Sequence, residues 1–318
     1  MIKSVNLIDK SLFAYRLLGW SLINMLIAFL LNNFLNLAFK IPFAFDFLTK
    51  NQSLSFIPLF IYLMAFGVSI IISYKNLNKP YSWDSILLHE FNLFFIRSCF
   101  WSVLLVGSID VVIAFMRVEE VNEILFNDDL VRALKKPSFV CTYIHIPLIL
   151  IGLIVGYFTK TLGFTWLALM IVCAELIIVI TRFVFSYEQS FMGDLVRYWY
   201  AALFLFASAY TLFEDGHVRV DVFYTNLKAK TKSIVNAYGS IFLGISTCAA
   251  ILFVGLNGKQ SIINSPILNF EITQQGSVGM FVKYQLAAFL GVFAISMLIQ
   301  FVSYYFLSLS KMNELNKS

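Results

Sequence analysis

Charged residues are scarce in this sequence. Only 13% of its 318 residues are Asp, Glu, Lys or Arg, 60% are hydrophobic, and the mean hydropathy is +0.82. Soluble domains carry roughly a quarter charged residues. A chain of this length folded in water would lack the ionisable groups needed to cover its surface. The composition therefore excludes a soluble protein and predicts that lipid surrounds much of the chain.

Cysteine and histidine are also sparse, and neither forms a recognisable site. The four cysteines lie inside apolar stretches without a CxxC pair or a Cys/His cluster, which excludes a disulfide framework and a zinc site. Of the three histidines only His145 lies clearly inside an apolar run, whereas haem held between helices commonly needs two. We interpret His145 as a hydrogen-bonded packing residue near the surface. No Walker motif, nucleophile elbow or HExxH motif occurs, so we predict no cofactor and no enzymatic activity.

Long apolar runs dominate what the sequence does contain. A helix needs about 20 apolar residues to cross the hydrocarbon layer. By that measure the sequence predicts an all-α integral membrane protein with roughly eight transmembrane helices. The Lys and Arg residues between the runs favour a topology with both termini in the cytoplasm, and they do not indicate nucleic-acid binding. The predicted spans are Leu17–Phe39, Leu54–Tyr74, Phe91–Met116, Phe139–Thr159, Thr161–Thr181, Phe191–Phe213, Ile234–Leu256 and Tyr284–Leu309.

Glu175 is the clearest polar exception inside these runs. It lies near the middle of its span, where a carboxylate is costly unless it is paired, protonated or facing water. One interpretation is an ion or proton site. The other, which we favour because no second acidic residue is nearby, is a side chain that fixes helix packing or a subunit contact. We expect Glu175 to be buried against protein. Asp110, in an earlier span, is less easily explained but could reach the outer headgroup region.

The densest polar block follows the sixth predicted span. Acids, bases and a histidine together at one membrane edge suit a docking surface, although a charged cytoplasmic loop gives the same pattern. Three shorter motifs precede the block. In order, the set is Arg182-Phe183-Val184-Phe185, Asp194-Leu195-Val196-Arg197-Tyr198, Ala209-Tyr210-Thr211-Leu212 and Asp215-Gly216-His217-Val218-Arg219-Val220-Asp221.

This ordered set resembles the small permease subunit of tripartite ATP-independent periplasmic (TRAP) transporters, in particular the mannitol or chloroaromatic branch. Asp194 stands where that family usually has Glu. The resemblance assigns residues 161–318 to a four-helix membrane domain typical of the family. It leaves residues 1–160 as an extra N-terminal membrane region of about four helices, to which the family assigns no role.

The resemblance implies a supporting role in transport. The chain would be the small subunit of a Na⁺-coupled solute uptake symporter in the bacterial inner membrane. It would act as a scaffold for a large permease subunit that works with a periplasmic solute-binding protein. Its other partner is the lipid bilayer, and no nucleic acid is expected. The implied subunit-interface or helix-boundary residues are Arg182, Asp194, Arg197, Tyr198, Gly216, His217, Arg219 and Asp221.

Two alternatives belong to other functional classes. A membrane anchor subunit of an electron-transfer enzyme would need a haem spectrum or a pair of intramembrane histidines. A self-sufficient channel or carrier would move solute without a second subunit. Secondary carriers often have Gly- or Pro-broken helices at the substrate site, whereas the prolines here lie in loops or towards the ends of spans.

Overall fold

The computed structural model describes residues 7–44, 56–214, 222, 224–273 and 276–315, and every regular element in these ranges is helical. Short helices α4 (Val121–Leu125), α5 (Asp128–Leu134) and α10 (Asn264–Leu268) and a 3₁₀ turn (Gly276–Val278) lie between longer ones. The long helices are α1 (Leu7–Phe39), α2 (Phe56–Lys75), α3 (Tyr81–Val118), α6 (Pro137–Phe158), α7 (Phe164–Phe185), α8 (Ser190–Phe213), α9 (Ala229–Gly255) and α11 (Lys283–Leu315).

The predicted all-α integral membrane fold is confirmed. Among the described residues, seven helices are long and apolar enough to cross a membrane, namely all of the long helices except α8. Helix α8 coincides with the sixth predicted span, but its first turns contain Asp194 and Arg197. These charges lower the hydropathy at the start of the helix. A count of eight spans and the location of the termini therefore stay predictions.

Helix α6 contains a π-helical segment, Cys141–His145, directly before Pro147. Proline has no N–H to donate, and its ring collides with the carbonyl four residues earlier, so an ordinary α-helical ladder cannot pass through it. Single π-helical turns occur inside α-helices at points where the regular α-helical hydrogen-bond pattern is interrupted. As a result, His145 lies at the end of the irregular segment. A second π-helical segment, Ser240–Ile245, occurs in α9 without a proline.

The chain forms two compact units. Unit 1 is built from the described parts of Met1–Glu90, His217–Lys259 and Met297–Ser318. Unit 2 is built from those of Phe91–Gly216 and Gln260–Ser296. Each unit thus draws on segments that are far apart in the sequence. The family-based division near residue 160 stays a prediction.

In unit 1, α1 packs along α2 and is fixed by polar contacts at several depths. The side-chain amide of Asn24 donates to the hydroxyl of Ser69 at 2.8 Å, and the amide of Asn32 donates to the carbonyl of Pro58 at 3.3 Å. Interhelical hydrogen bonds of this kind are used in lipid, where burial of apolar surface does not itself drive helices together. The two asparagines of α1 therefore hold this helix against α2.

In unit 2, α3 and α6 approach each other through small residues. Gly152 and Gly156 on α6 face Ser102 and Ser98 on α3, and a Cβ atom added at Gly152 would lie 2.6 Å from the Cα of Ser102. The absence of side chains at these two glycines lets the two backbones come close, as small residues do in many membrane proteins. The interface therefore depends on glycine at position 152.

Candidate functional site

A carboxylate and an imidazole are paired in the interior of unit 2. Asp110 on α3 and His145 on α6 are both fully buried, and Asp110 Oδ1 lies 3.2 Å from His145 Nε2. Asp110 Oδ2 accepts the backbone N–H of Phe281 at 2.8 Å. Both carboxylate oxygens thus have hydrogen-bond partners, as a buried acidic group requires.

The other ring nitrogen of His145 links this pair to α11 and α8. His145 Nδ1 lies 2.7 Å from the hydroxyl of Tyr284 and 3.3 Å from Nε2 of Gln285. Gln285 also donates to the Tyr284 hydroxyl at 2.7 Å, and its Oε1 accepts the hydroxyl proton of Tyr198. We refer to Asp110, His145, Tyr198, Tyr284 and Gln285 as the buried network. A neutral imidazole that donates from Nε2 to Asp110 and accepts at Nδ1 satisfies these contacts.

Asp194 holds the same stretch of backbone from a different helix. Its Oδ2 accepts the backbone N–H of Met280 at 3.2 Å, and its side chain is almost completely buried. The guanidinium of Arg197 lies 3.8 Å from Asp194 Oδ1 and is largely exposed. Two consecutive amides, those of Met280 and Phe281, are therefore held by two buried carboxylates. This arrangement fixes the segment that leads into α11.

Unit 1 has its own buried ion pair. Arg16 Nε donates to Asp84 Oδ2 at 2.8 Å, and Trp20 Nε1 donates to Asp84 Oδ1 at 2.9 Å. Arg16 also donates to the backbone carbonyls of Asn76 and Lys79. Both charged side chains are buried, so the pair holds the start of α3 and the preceding turn against α1. Sequence analysis missed this pair because it began the third span at Phe91.

The predicted site residues fall into three groups. Asp194 and Tyr198 are buried in unit 2, and Arg197 lies beside Asp194 on the surface. Arg182 is exposed, with its Nη1 4.0 Å from Glu188 Oε1. The structure thus brings together three of the eight candidates. Four others, Gly216, His217, Arg219 and Asp221, lie outside the described residues.

The structure surrounds three intramembrane polar residues in ways that the sequence did not indicate. Asp110 is enclosed by protein, where His145 and the Phe281 amide contact it. His145 forms hydrogen bonds and is fully buried between Asp110 and Tyr284. Glu175 was expected to be buried against protein, but within the part of the chain that the structure describes it is exposed, because α7 buries only a narrow face and Glu175 falls outside it. The depths of Asp110 and His145 in the membrane stay predictions.

The buried network is built for structure. Both ring nitrogens of His145 lie within hydrogen-bond distance of protein groups, so neither is available as an axial haem ligand. In the part of the chain that the structure describes, no group of three His, Cys, Asp or Glu residues is placed to hold a metal ion. What the network can do is connect α3, α6, α8 and α11 through hydrogen bonds.

Comparison with known proteins agrees with the motif set. Residues 168–307 match the family model described as "Tripartite ATP-independent periplasmic transporters, DctQ component". No curated protein and no solved structure shows a significant match to the chain. The family is a transporter component and not an enzyme family, and it gives no support to an electron-transfer anchor. The mannitol or chloroaromatic branch stays a prediction. Residues 168–307 of this chain, which lie within the TRAP small permease region predicted from its motifs, thus match the DctQ component family.

Proposed function

We propose that this chain is a scaffold subunit that packs beside the large permease subunit of a TRAP-type uptake system. The family match supports a small membrane component of such a transporter. The observation that carries the scaffold role is α7, the first helix of the matched region. It buries Leu167, Ile171 and Ala174 within this chain and leaves most of its remaining surface open, Glu175 included.

A helix with one carboxylate on an otherwise apolar open face suits contact with another membrane protein. Lipid tails offer no partner for a carboxylate, so a second chain that supplies a donor lowers the cost of keeping Glu175 in the membrane. The end of α7 adds a cation beside apolar residues: Arg182 is exposed, and Phe183 and Phe185 are 78% and 69% exposed. We propose that this surface, α7 with Arg182 and Arg197, faces the large subunit.

The internal polar groups support a framework and not a solute pathway. Asp84, Asp110 and Asp194 each accept hydrogen bonds from protein donors on other elements. Their charges are therefore used to hold helices together. The solute and the coupling Na⁺ would bind in the large subunit, and a periplasmic binding protein would deliver the solute. This assembly would lie in the bacterial inner membrane.

Co-purification with the large permease subunit encoded beside this chain tests the proposal. The family resemblance assigns Arg219 and Asp221 to the interface, so Arg219→Ala and Asp221→Ala should each reduce recovery of the large subunit. Charged pairs at a membrane boundary gain more than fully exposed pairs, because part of the surrounding water is removed. Arg132→Ala is a matched control, since Arg132 is exposed and pairs only locally with Asp129. Unchanged recovery and uptake in both interface variants would remove these residues from the proposed contact.

A further inference from the structure

An arginine without a carboxylate partner lies at the end of α3. The Arg117 side chain is 91% buried by the fold, with its Nε donating to the carbonyl of Ser277 at 2.7 Å and its Nη2 donating to that of Gly279. Its Cζ is 4.0 Å from the centre of the Phe281 ring. These partners are all neutral, and Nη1 is buried without a hydrogen-bond partner. The two N–H bonds of Nη1 therefore have no protein acceptor, and the carboxylate that acts on this guanidinium, that of Asp110, does so without a hydrogen bond.

This guanidinium lines a cavity of about 410 Å³ that also contains Lys135. The rest of the lining comes from Val118, Ser277 and Val278. Lys135 Nζ lies 3.1 Å from Glu123 Oε1, and both side chains are about half exposed. A surface pair of this kind is weak and exchanges readily with other partners. The cavity thus offers one cation that has no hydrogen-bonded carboxylate and a second that is weakly paired.

An apolar groove of about 320 Å³ lies along α3, the helix that contains Arg117, and is bounded by α7 and α8. Ser108, Val111 and Phe115 line it at helical spacing, and Val118, which lines the Arg117 cavity, continues that spacing by one further turn. At the start of α8, Ser190 Oγ donates to the carbonyl of Val278 at 3.4 Å. Its neighbours Gln189 and Phe191 line the groove. The groove and the cavity are therefore adjacent along one edge of unit 2.

We propose that the cavity and the groove together bind an anionic phospholipid. The phosphate group would lie between Arg117 and Lys135, and one acyl chain would follow the groove along α3. Arginine donates several hydrogen bonds in a geometry that matches phosphate oxygens. Cations at a membrane surface attract anionic lipids, and an open apolar groove in the hydrocarbon layer accepts a chain. Arg117 and Lys135 precede the family-matched residues, so both cations of the site come from the extra N-terminal region.

Thermal unfolding of the delipidated full chain in detergent tests the site. Dioleoylphosphatidylglycerol should raise the melting temperature and remain attached as a one-to-one complex in native mass spectrometry. Dioleoylglycerol, which has the same chains without phosphate, should do neither, and inorganic phosphate should have a smaller effect. If inorganic phosphate stabilises the chain as strongly as the phospholipid, the site binds a soluble anion and the lipid proposal fails. It also fails if the two lipids stabilise the chain equally.

Variants distinguish binding at this site from a general electrostatic attraction of anionic lipid to the protein surface. Lys135→Gln leaves the contacts of Arg117 with the 277–279 segment in place and should weaken phosphatidylglycerol binding about fivefold, the value of one interfacial cation. Arg132→Gln is the matched control, because Arg132 lies on the same connection, pairs with Asp129 and does not line the cavity. Val112→Trp should block the groove and weaken lipid binding without changing phosphate binding. Equal losses in Lys135→Gln and Arg132→Gln, or no loss in Val112→Trp, would overturn the proposal.

Discussion

Asp110 and Asp194 illustrate how single polar residues act in this fold. They lie on different helices and are far apart in sequence, yet they accept the amides of neighbouring residues, Phe281 and Met280. Asp110 is satisfied by His145 in the interior, whereas Asp194 is approached by Arg197 from the surface. Each carboxylate would be costly in lipid. Each stabilises the fold because it accepts a hydrogen bond from a backbone N–H of the protein.

We predict that Asp110→Ala lowers the free energy of unfolding by about 3 kcal/mol, because it leaves the Phe281 amide and one side of His145 without partners. Denaturant-induced unfolding in detergent micelles measures this difference. Asp128→Ala is the matched control, since Asp128 is exposed on α5. Equal stability of Asp110→Ala and the parent would mean that the buried network contributes nothing to the fold.

The residue-scale errors of sequence analysis have one physical origin. Hydropathy places Asp110 and His145 in apolar runs but does not tell which distant residue meets them. Phe281 follows Asp110 by 171 positions, and its contact is a backbone N–H that no side-chain pattern reveals. Arg16 and Asp84 present the same difficulty, since each taken alone is typical of a helix end. For this reason the sequence did not predict the contacts that these residues form across long separations in the chain.

At the scale of elements, the apolar runs located the long helices well. Most bounds lie within a few residues of the predicted spans, because the length and hydropathy of a helix in lipid are set by the thickness of the hydrocarbon layer. Helices α1 and α3 are the main exceptions, since each begins ten residues before its predicted span. Helix α3 begins at Tyr81, and its first turns contain Asp84, His89 and Glu90, which lower the local hydropathy. The π-helical segments were not predicted either, since they depend on a local interruption of the α-helical hydrogen-bond pattern.

The α3–α6 interface supplies an element-scale prediction. Gly152→Ala should destabilise the protein by about 1–3 kcal/mol, because the new methyl group would overlap the Ser102 backbone. Gly67→Ala on α2 is the control, since nothing lies within 4 Å of a Cβ at that position. That variant should be neutral or slightly stabilising. Thermal unfolding of both variants in the same detergent decides the point, and equal melting temperatures would contradict the close approach.

Helix α7 carries a second prediction at this scale. Glu175→Leu should reduce recovery of the large permease subunit, because it removes the one carboxylate on the open face of α7 while keeping that face apolar. Glu175→Gln, which keeps a hydrogen-bonding group, should have a smaller effect. Val172→Leu is the control, since Val172 is 64% exposed one turn earlier on the same helix. If Glu175→Leu and Glu175→Gln both assemble and transport like the parent, Glu175 has no role in the contact.

For the whole molecule, composition and the motif set identified the class and the family region. Scarce charge excludes a soluble fold, and the ordered motifs from Arg182 onward fall within the matched residues 168–307. The part before residue 168 has no such motif to identify it. Its contribution emerges only from contacts: Asp110 and His145 come from this part, while Tyr198, Tyr284 and Gln285 come from the matched part. The extra region thus shares one buried network with the family region.

Sodium-driven solute uptake into proteoliposomes tests the central claim most directly. The chain alone, the large permease subunit alone and the two together would each be reconstituted with the cognate periplasmic binding protein. We predict uptake only when both membrane subunits are present, because this chain supplies the framework and the large subunit supplies the solute and Na⁺ sites. Uptake by this chain without the large subunit would contradict the account and identify a self-sufficient carrier.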